Sequence, residues 1–149
     1  MDMEASTKSE RKPLLTVDVI IKRPDNSIVL IKRKNAPFKN FYALPGGFVE
    51  YGETVEAAAV REAKEETCLD VRILKLVGVY SDPKRDPRGH VVSIVYLAEE
   101  RGGTLRPDTD AKEVGSFKKI PKEMAFDHKK ILRNALKLLN RKERAQKKE

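Results

Sequence analysis

Glu62, Glu65 and Glu66 stand at i, i+3 and i+4 of residues 54–67. If that segment is helical, the spacing puts three carboxylates on one face. Like charges four residues apart repel by a few tenths of a kcal/mol, and neither Glu62 nor Glu66 has a basic residue four positions away. Residues 47–69 carry six acidic and two basic side chains in a chain of net charge +8. A solvated acidic helix face would account for three glutamates alone. Three neighbours point to metal chemistry instead. Pro45-Gly46-Gly47 predicts a tight glycine turn near the helix start, where a backbone carbonyl could face a cation. Glu53 stands just before the helix. Arg61 adjoins the carboxylates and could hold them by bidentate contact. An all-oxygen set suits a hard cation, Mg²⁺ or Mn²⁺, which takes its remaining ligands from water and substrate phosphates.

The elements that must position these groups can be read from hydrophobic pattern. Residues 15–21 alternate as a strand with one face buried, Pro24-Asp25-Asn26 signals a turn, and residues 27–33 return as a hairpin partner. A loop follows at 35–40, then a short strand end at 44–47. The helix at 54–67 has a small-residue face of Val55, Ala58, Ala59 and Ala63 that can pack closely on a sheet. Strands are expected at 71–80, 91–99 and 114–120, with a turn at Gly102-Gly103. Asp127 can cap a last helix whose apolar stripe is Ile131, Leu132, Ala135, Leu136 and Leu139. Interleaved strands and helices make the fold class α/β or α+β. Residues 1–12 read as a loose leader, 13–140 as one domain and 141–149 as a basic, frayed tail.

With 149 residues, the chain can bury about 68–70% of its unfolded surface. The single cysteine, Cys68, excludes an intrachain disulfide and a Cys-rich zinc site, and two histidines exclude a His cluster. No apolar run approaches the roughly 18 residues that span a bilayer, and residues 1–12 lack a signal-peptide core. A reducing, cytoplasmic setting without a membrane partner is expected. Residues 127–149 hold nine Lys/Arg against three acids, so most of the basic excess is C-terminal. That pattern fits a solvated helix face or a nucleic-acid docking surface.

The stretch GGFVEYGETVEAAAVREAKEETCLDV resembles the Nudix box of the Nudix hydrolases. Gly47, Glu53, Arg61, Glu62, Glu65 and Glu66 match its fixed positions, with Ala63 and Leu69 in the aliphatic places. Six such matches arise by chance about once in 10⁵ chains of this length on average composition. The resemblance extends over residues 14–140 and implies an α/β/α sandwich around a mixed sheet. It also implies metal-dependent hydrolysis of a nucleoside diphosphate linked to another group. It assigns Glu62, Glu65, Glu66 and the Gly47 carbonyl to the metal, Glu53 to a water-mediated role and Arg61 to orienting the carboxylates. Glu66 and Glu113 are alternative general bases, with Asp110 behind them. Cys68 replaces the box's last glycine. A non-glycine residue in a left-handed cap there costs roughly 1–2 kcal/mol. No histidine adjoins Cys68 to make it a nucleophile, so a capping or packed thiol is expected.

Residues 81–90, SDPKRDPRGH, form the second informative stretch. Arg85, Asp86, Arg88 and His90 are suited to phosphate, ribose or a base edge, or to a charged surface loop. Pro83 lies fifteen positions beyond Cys68, similar to a proline of the family's ADP-ribose pyrophosphatases. The RDPRGH run and Ala125-Phe126-Asp127-His128 are similar to that group too. For His128 alone, a plain helix N-terminal residue is the other reading. The resemblance implies hydrolysis of ADP-ribose to AMP and ribose 5-phosphate, with homodimers frequent in the group. The alternatives are a nucleotide-sanitising or NADH-type pyrophosphatase, an RNA-end hydrolase, and a non-catalytic ADP-ribose sensor. Only nine residues follow Asn140, too few for the added DNA-binding domain of such sensors.

Overall fold

The computed structural model describes residues 11–107 and 111–147. In chain order the elements are β1 (Leu14–Lys22), β2 (Ile28–Arg33), β3 (Tyr42–Ala43), β4 (Gly46–Phe48), α1 (Val55–Thr67), β5 (Leu69–Tyr80), β6 (Val91–Gly103), β7 (Ala111–Phe117) and α2 (His128–Lys147). The strands form one mixed sheet in the order β3-β2-β1-β6-β5, with β4 on β1 and β7 on β2. β1 and β6 run parallel from Leu14↔Val91 to Lys22↔Glu99; the other pairs are antiparallel.

Alternation along β1 sends side chains to opposite faces. Val17, Val19 and Ile21 pack with Ala58, Ala59 and Ala63 of α1. Ile20 packs with Ile131, Leu132 and Ala135 of α2. One helix therefore covers each face, giving the expected α/β/α sandwich. The β1–β2 hairpin holds at only one registered pair, Lys22↔Ile28. The first half of β1 is instead taken by β4, from Thr16↔Phe48 to Asp18↔Gly46, while β2 turns to β3 and β7. The two arms splay, and a cleft opens with walls from both.

Five expectations need correction. Gly46 and Gly47 do not make a tight turn: they are strand residues of β4, and neither has positive φ. The turn comes at Gly52, φ +84°. Gly102 and Gly103 end β6, paired with Asp70 and Leu69, with Gly103 in the positive-φ region. Leu136, placed in the apolar stripe of the last helix, is 41% exposed. That helix runs past the expected end at Asn140 to Lys147, as Lys and Arg are good helix formers. The expected strand at 114–120 lies at Ala111–Phe117.

Candidate active site

α1 begins where Thr54 accepts a hydrogen bond from the Ala57 N–H at 3.1 Å, an N-cap that satisfies one open donor. It ends at Cys68, left-handed at φ 63°, ψ 14°, with its N–H on the Lys64 carbonyl at 3.0 Å. Cys68 thus occupies the conformation expected for the glycine it replaces. The alanine face lays α1 flat on the sheet, and this directs its glutamates at β4.

The reason for two glycines there is close approach. A Cβ on Gly47 would stand 2.5 Å from the Glu62 carboxylate, and one on Gly46 would stand 2.2 Å from the Val17 carbonyl. Glu66 is buried and accepts the Gly46 N–H at 3.1 Å. Arg61 holds the rest of the row. Its Nε and Nη2 donate to the two Glu53 oxygens at 2.7 and 2.9 Å, and its Nη1 donates to Glu62 at 2.8 Å and Glu65 at 3.1 Å. Nη2 also donates to the Phe48 carbonyl at 3.1 Å, tying the clamp to β4. The Arg61 hydrogen bonds hold the Glu53 carboxyl down at about 2, and Glu53 in turn raises the Arg61 guanidinium well above its ordinary range. Among the described residues, no three His, Cys, Asp or Glu side chains converge closely enough to enclose a metal by themselves. The cradle at Gly47 and the all-oxygen donor set nonetheless fit a hard cation completed by water and substrate oxygens. Glu62, Glu65, Glu66 and the Gly47 carbonyl are the groups that would hold it.

These groups form one wall of a cleft of about 470 Å³. Arg33, Phe48, Arg88 and Phe126 line it too. The Arg33 guanidinium lies 4.9 Å from the Phe126 ring centre. Arg88 lies 5.4 Å from Phe126 and 5.7 Å from Phe48. Burial, then the nearby Arg88, push the Arg33 guanidinium below its ordinary value.

The residues expected from the 81–90 loop separate. Arg85 and Asp86 line the cleft but are already committed. Arg85, 4% exposed, pairs both ways with Asp127 at 2.7 and 3.0 Å and donates to the Val91 carbonyl. Asp86, 2% exposed, holds the Arg88 side chain at 2.8 Å and its backbone N–H at 2.9 Å. Burial pushes the Asp86 carboxyl up, but the Arg88 bonds outweigh it and the carboxyl lies below its ordinary value. Arg88 remains half exposed toward the cleft. His90 meets the Ser81 carbonyl at 3.0 Å and is not among the residues lining the cleft. Glu113 is also outside that lining: it is 58% exposed and faces Lys32 at 3.9 Å. Asp110 lies outside the described residues.

Sequence reasoning singled out His128 but missed the rest of the floor. Asp18 and Thr16 of β1 line the cleft with His128 of α2. Asp18 accepts from the buried Ser93 hydroxyl, and His128 Nδ1 accepts the Leu44 N–H at 3.0 Å. Burial pushes the His128 imidazolium down, against the pull of Asp18 and Asp127, so the ring is held neutral. The signal was present: an acid in the middle of an apolar strand that is covered on both faces needs a partner or a task.

Comparison with known proteins agrees with this geometry. The pattern of the NUDIX domain matches residues 12–139. An ADP-ribose pyrophosphatase of Methanocaldococcus jannaschii is 55% identical over 130 residues, 86% of this chain and 76% of that protein. The ADPR responsive transcriptional repressor NtrR of Acinetobacter baylyi is 36% identical over 141 residues, 89% of this chain and 56% of the repressor. The crystallised NUDIX domain of Shewanella oneidensis NrtR in complex with ADP ribose superposes with a TM-score of 0.78 at 25% identity, covering 91% of this chain and 94% of that one. With the box in register, the carboxylates on one cleft wall and the pattern matched over most of its length, the chain belongs to the NUDIX domain family.

Proposed function

We propose that the protein hydrolyses the diphosphate of ADP-ribose, with Mg²⁺ or Mn²⁺, to AMP and ribose 5-phosphate. The observation that carries this reading is the single cleft that joins the acidic row to an arginine–aromatic wall. Its volume is that of a small-molecule site, and the two chemistries suit the two parts of the substrate: a diphosphate, and a nucleoside with a flat base. Relatives named for ADP-ribose, one an enzyme and one a repressor, support the choice of substrate.

Glu62, Glu65 and Glu66, with the Gly47 carbonyl, would hold the cation. A divalent metal so held would offset diphosphate charge and lower the pKa of a bound water. Arg61, anchored by Glu53, keeps Glu62 and Glu65 aimed at the cleft. Of the two bases expected, Glu66 lines the cleft and Glu113 does not, so we assign to Glu66 the removal of the water proton. The water oxygen bonds to one phosphorus, the bridging P–O bond breaks, and the other phosphate leaves with the bridging oxygen. Arg88, fixed on Asp86, and Arg33 face the substrate. Arg85 acts from beneath, by fixing the loop to Asp127. The intact acidic row favours catalysis over sensing.

The test is a panel of ADP-ribose, NADH, dGTP and ATP, each with Mg²⁺ and Mn²⁺ and with products identified by mass. AMP and ribose 5-phosphate should form, and kcat/KM for ADP-ribose should exceed that for either triphosphate. Preference for a triphosphate would contradict the proposal.

A further inference from the structure

Asp18 is a buried acid at the floor of a cleft built for phosphate. A carboxylate there repels phosphate oxygens, so the substrate group that reaches it must be a hydrogen-bond donor. Its Oδ2 is taken by the Ser93 hydroxyl. Its Oδ1 has a weaker neighbour, His128 Nε2 at 3.6 Å, beyond hydrogen-bond length. The same Oδ1 lies against Gly46, where a Cβ would stand 2.5 Å from it. Oδ1 therefore keeps acceptor capacity, and only a glycine at 46 leaves it uncovered.

The surroundings fix this carboxylate in place. Because His128 Nδ1 accepts the Leu44 N–H, the proton of the neutral ring sits on Nε2 and points at Asp18. Asp18 is registered opposite Gly46, whose N–H donates to Glu66. The acid of the floor and the acid of the metal wall thus flank one residue of β4. A ribose joins its phosphate through one methylene, so a phosphate held beside Glu66 can carry its vicinal hydroxyls across Gly46 to Asp18.

We propose that Asp18 accepts hydrogen bonds from the vicinal hydroxyls of a ribose of the substrate, with Ser93 and His128 as positioning residues. This rests on the ADP-ribose reading above. Either the adenosine ribose or the terminal ribose can supply the hydroxyls, and the test distinguishes them.

Wild type and Asp18→Asn are compared on ADP-ribose, on its analogue lacking the 2-hydroxyl of the adenosine ribose, and on its analogue lacking the 2-hydroxyl of the terminal ribose. On wild type, one analogue should lose about tenfold or more in kcat/KM, because a site built for a hydroxyl penalises its absence. Asp18→Asn should shrink that discrimination to about twofold, with the change in KM rather than kcat. Ser93→Ala should narrow the same ratio in part, a change that a merely structural role would not produce. Wild type indifferent to both analogues overturns the proposal, whether or not the variants fold. Equal losses on all three substrates in Asp18→Asn overturn it too, as does a higher Mg²⁺ requirement with discrimination intact. If ADP-ribose is not turned over at all, the same three ligands are compared by equilibrium binding, so failure of the activity leaves this test standing.

Discussion

The acidic wall of the cleft and its floor are built in different ways. In the wall, Arg61, Glu53, Glu62, Glu65, Glu66 and Gly46 make all their mutual contacts within 20 residues of sequence. One helix, one cap and one short strand suffice. In the floor, Ser93 reaches Asp18 across 75 residues, Leu44 reaches His128 across 84, and Arg85 reaches Asp127 across 42. The wall is partly open to water, and Arg61 ties its carboxylates together at the edge of the cleft. The floor is buried and its charges are spent largely on one another. Damage to the wall should therefore remove chemistry and spare the fold, while damage to the floor should cost stability or recognition.

The largest effect is expected at Glu66. Glu66→Gln keeps the volume and an oxygen for the Gly46 N–H but deletes the charge. Turnover should fall by more than about a hundredfold, since loss of an outer-shell partner alone costs 10–100-fold, while the melting temperature stays close to wild type. On the floor side, Arg85→Ala leaves Asp127 without its partner and should destabilise the protein by about 3 kcal/mol, read by urea unfolding. A variant that instead stayed stable and lost only substrate affinity would move Arg85 to the phosphate-binding set.

The glycine pair sharpens the comparison. Gly47→Ala meets the far end of Glu62, a side chain that can swing away, so stability should hold while activity drops by about tenfold or more. Gly46→Ala meets the Val17 carbonyl, which is backbone and cannot yield cheaply, so the loss should appear in stability first. Parallel activity and melting curves of the two variants check this. If both lose stability equally, the division between wall and floor fails at β4.

Much of the wall was legible in the sequence because its determinants are local. The i, i+3, i+4 spacing and the alanine face need only helical geometry. Cys68 is another such case, since a left-handed residue commonly ends a helix. The same reasoning misjudged Gly46-Gly47: glycine was read as conformational freedom, while the structure uses it as an absent side chain, which only the packed partner reveals. The floor was legible in composition but not in pairing. Arg85 looks like a phosphate ligand until Asp127 is seen beside it, and Asp18 looks like the polar side of a strand until both faces prove to be covered.

Smaller effects follow from those two readings. Cys68→Gly should raise stability by about 1 kcal/mol, because glycine adopts the left-handed cap without penalty; a loss would show that the thiol's packing outweighs the strain. Acidification separates the regions by pH. His128 is held neutral in the fold, whereas in the unfolded chain it binds a proton below about pH 6.5. Stability should fall as pH drops below that value, with a slope absent from His128→Asn. Glu53 titrates near 2 instead of 4.5. Its contribution is complete above about 4.5 and is lost as pH falls toward 2, a range in which Glu53→Gln should show a flatter profile.

The most direct test of the central claim is calorimetric titration of ADP-ribose and Mg²⁺ into wild type and Glu66→Gln, with turnover followed in the same samples. The account predicts steady hydrolysis by wild type, and in the variant a binding isotherm with almost no hydrolysis, because the floor and the arginine–aromatic wall are intact. Binding without hydrolysis by wild type, or near-wild-type turnover by Glu66→Gln at saturating Mg²⁺, would contradict it.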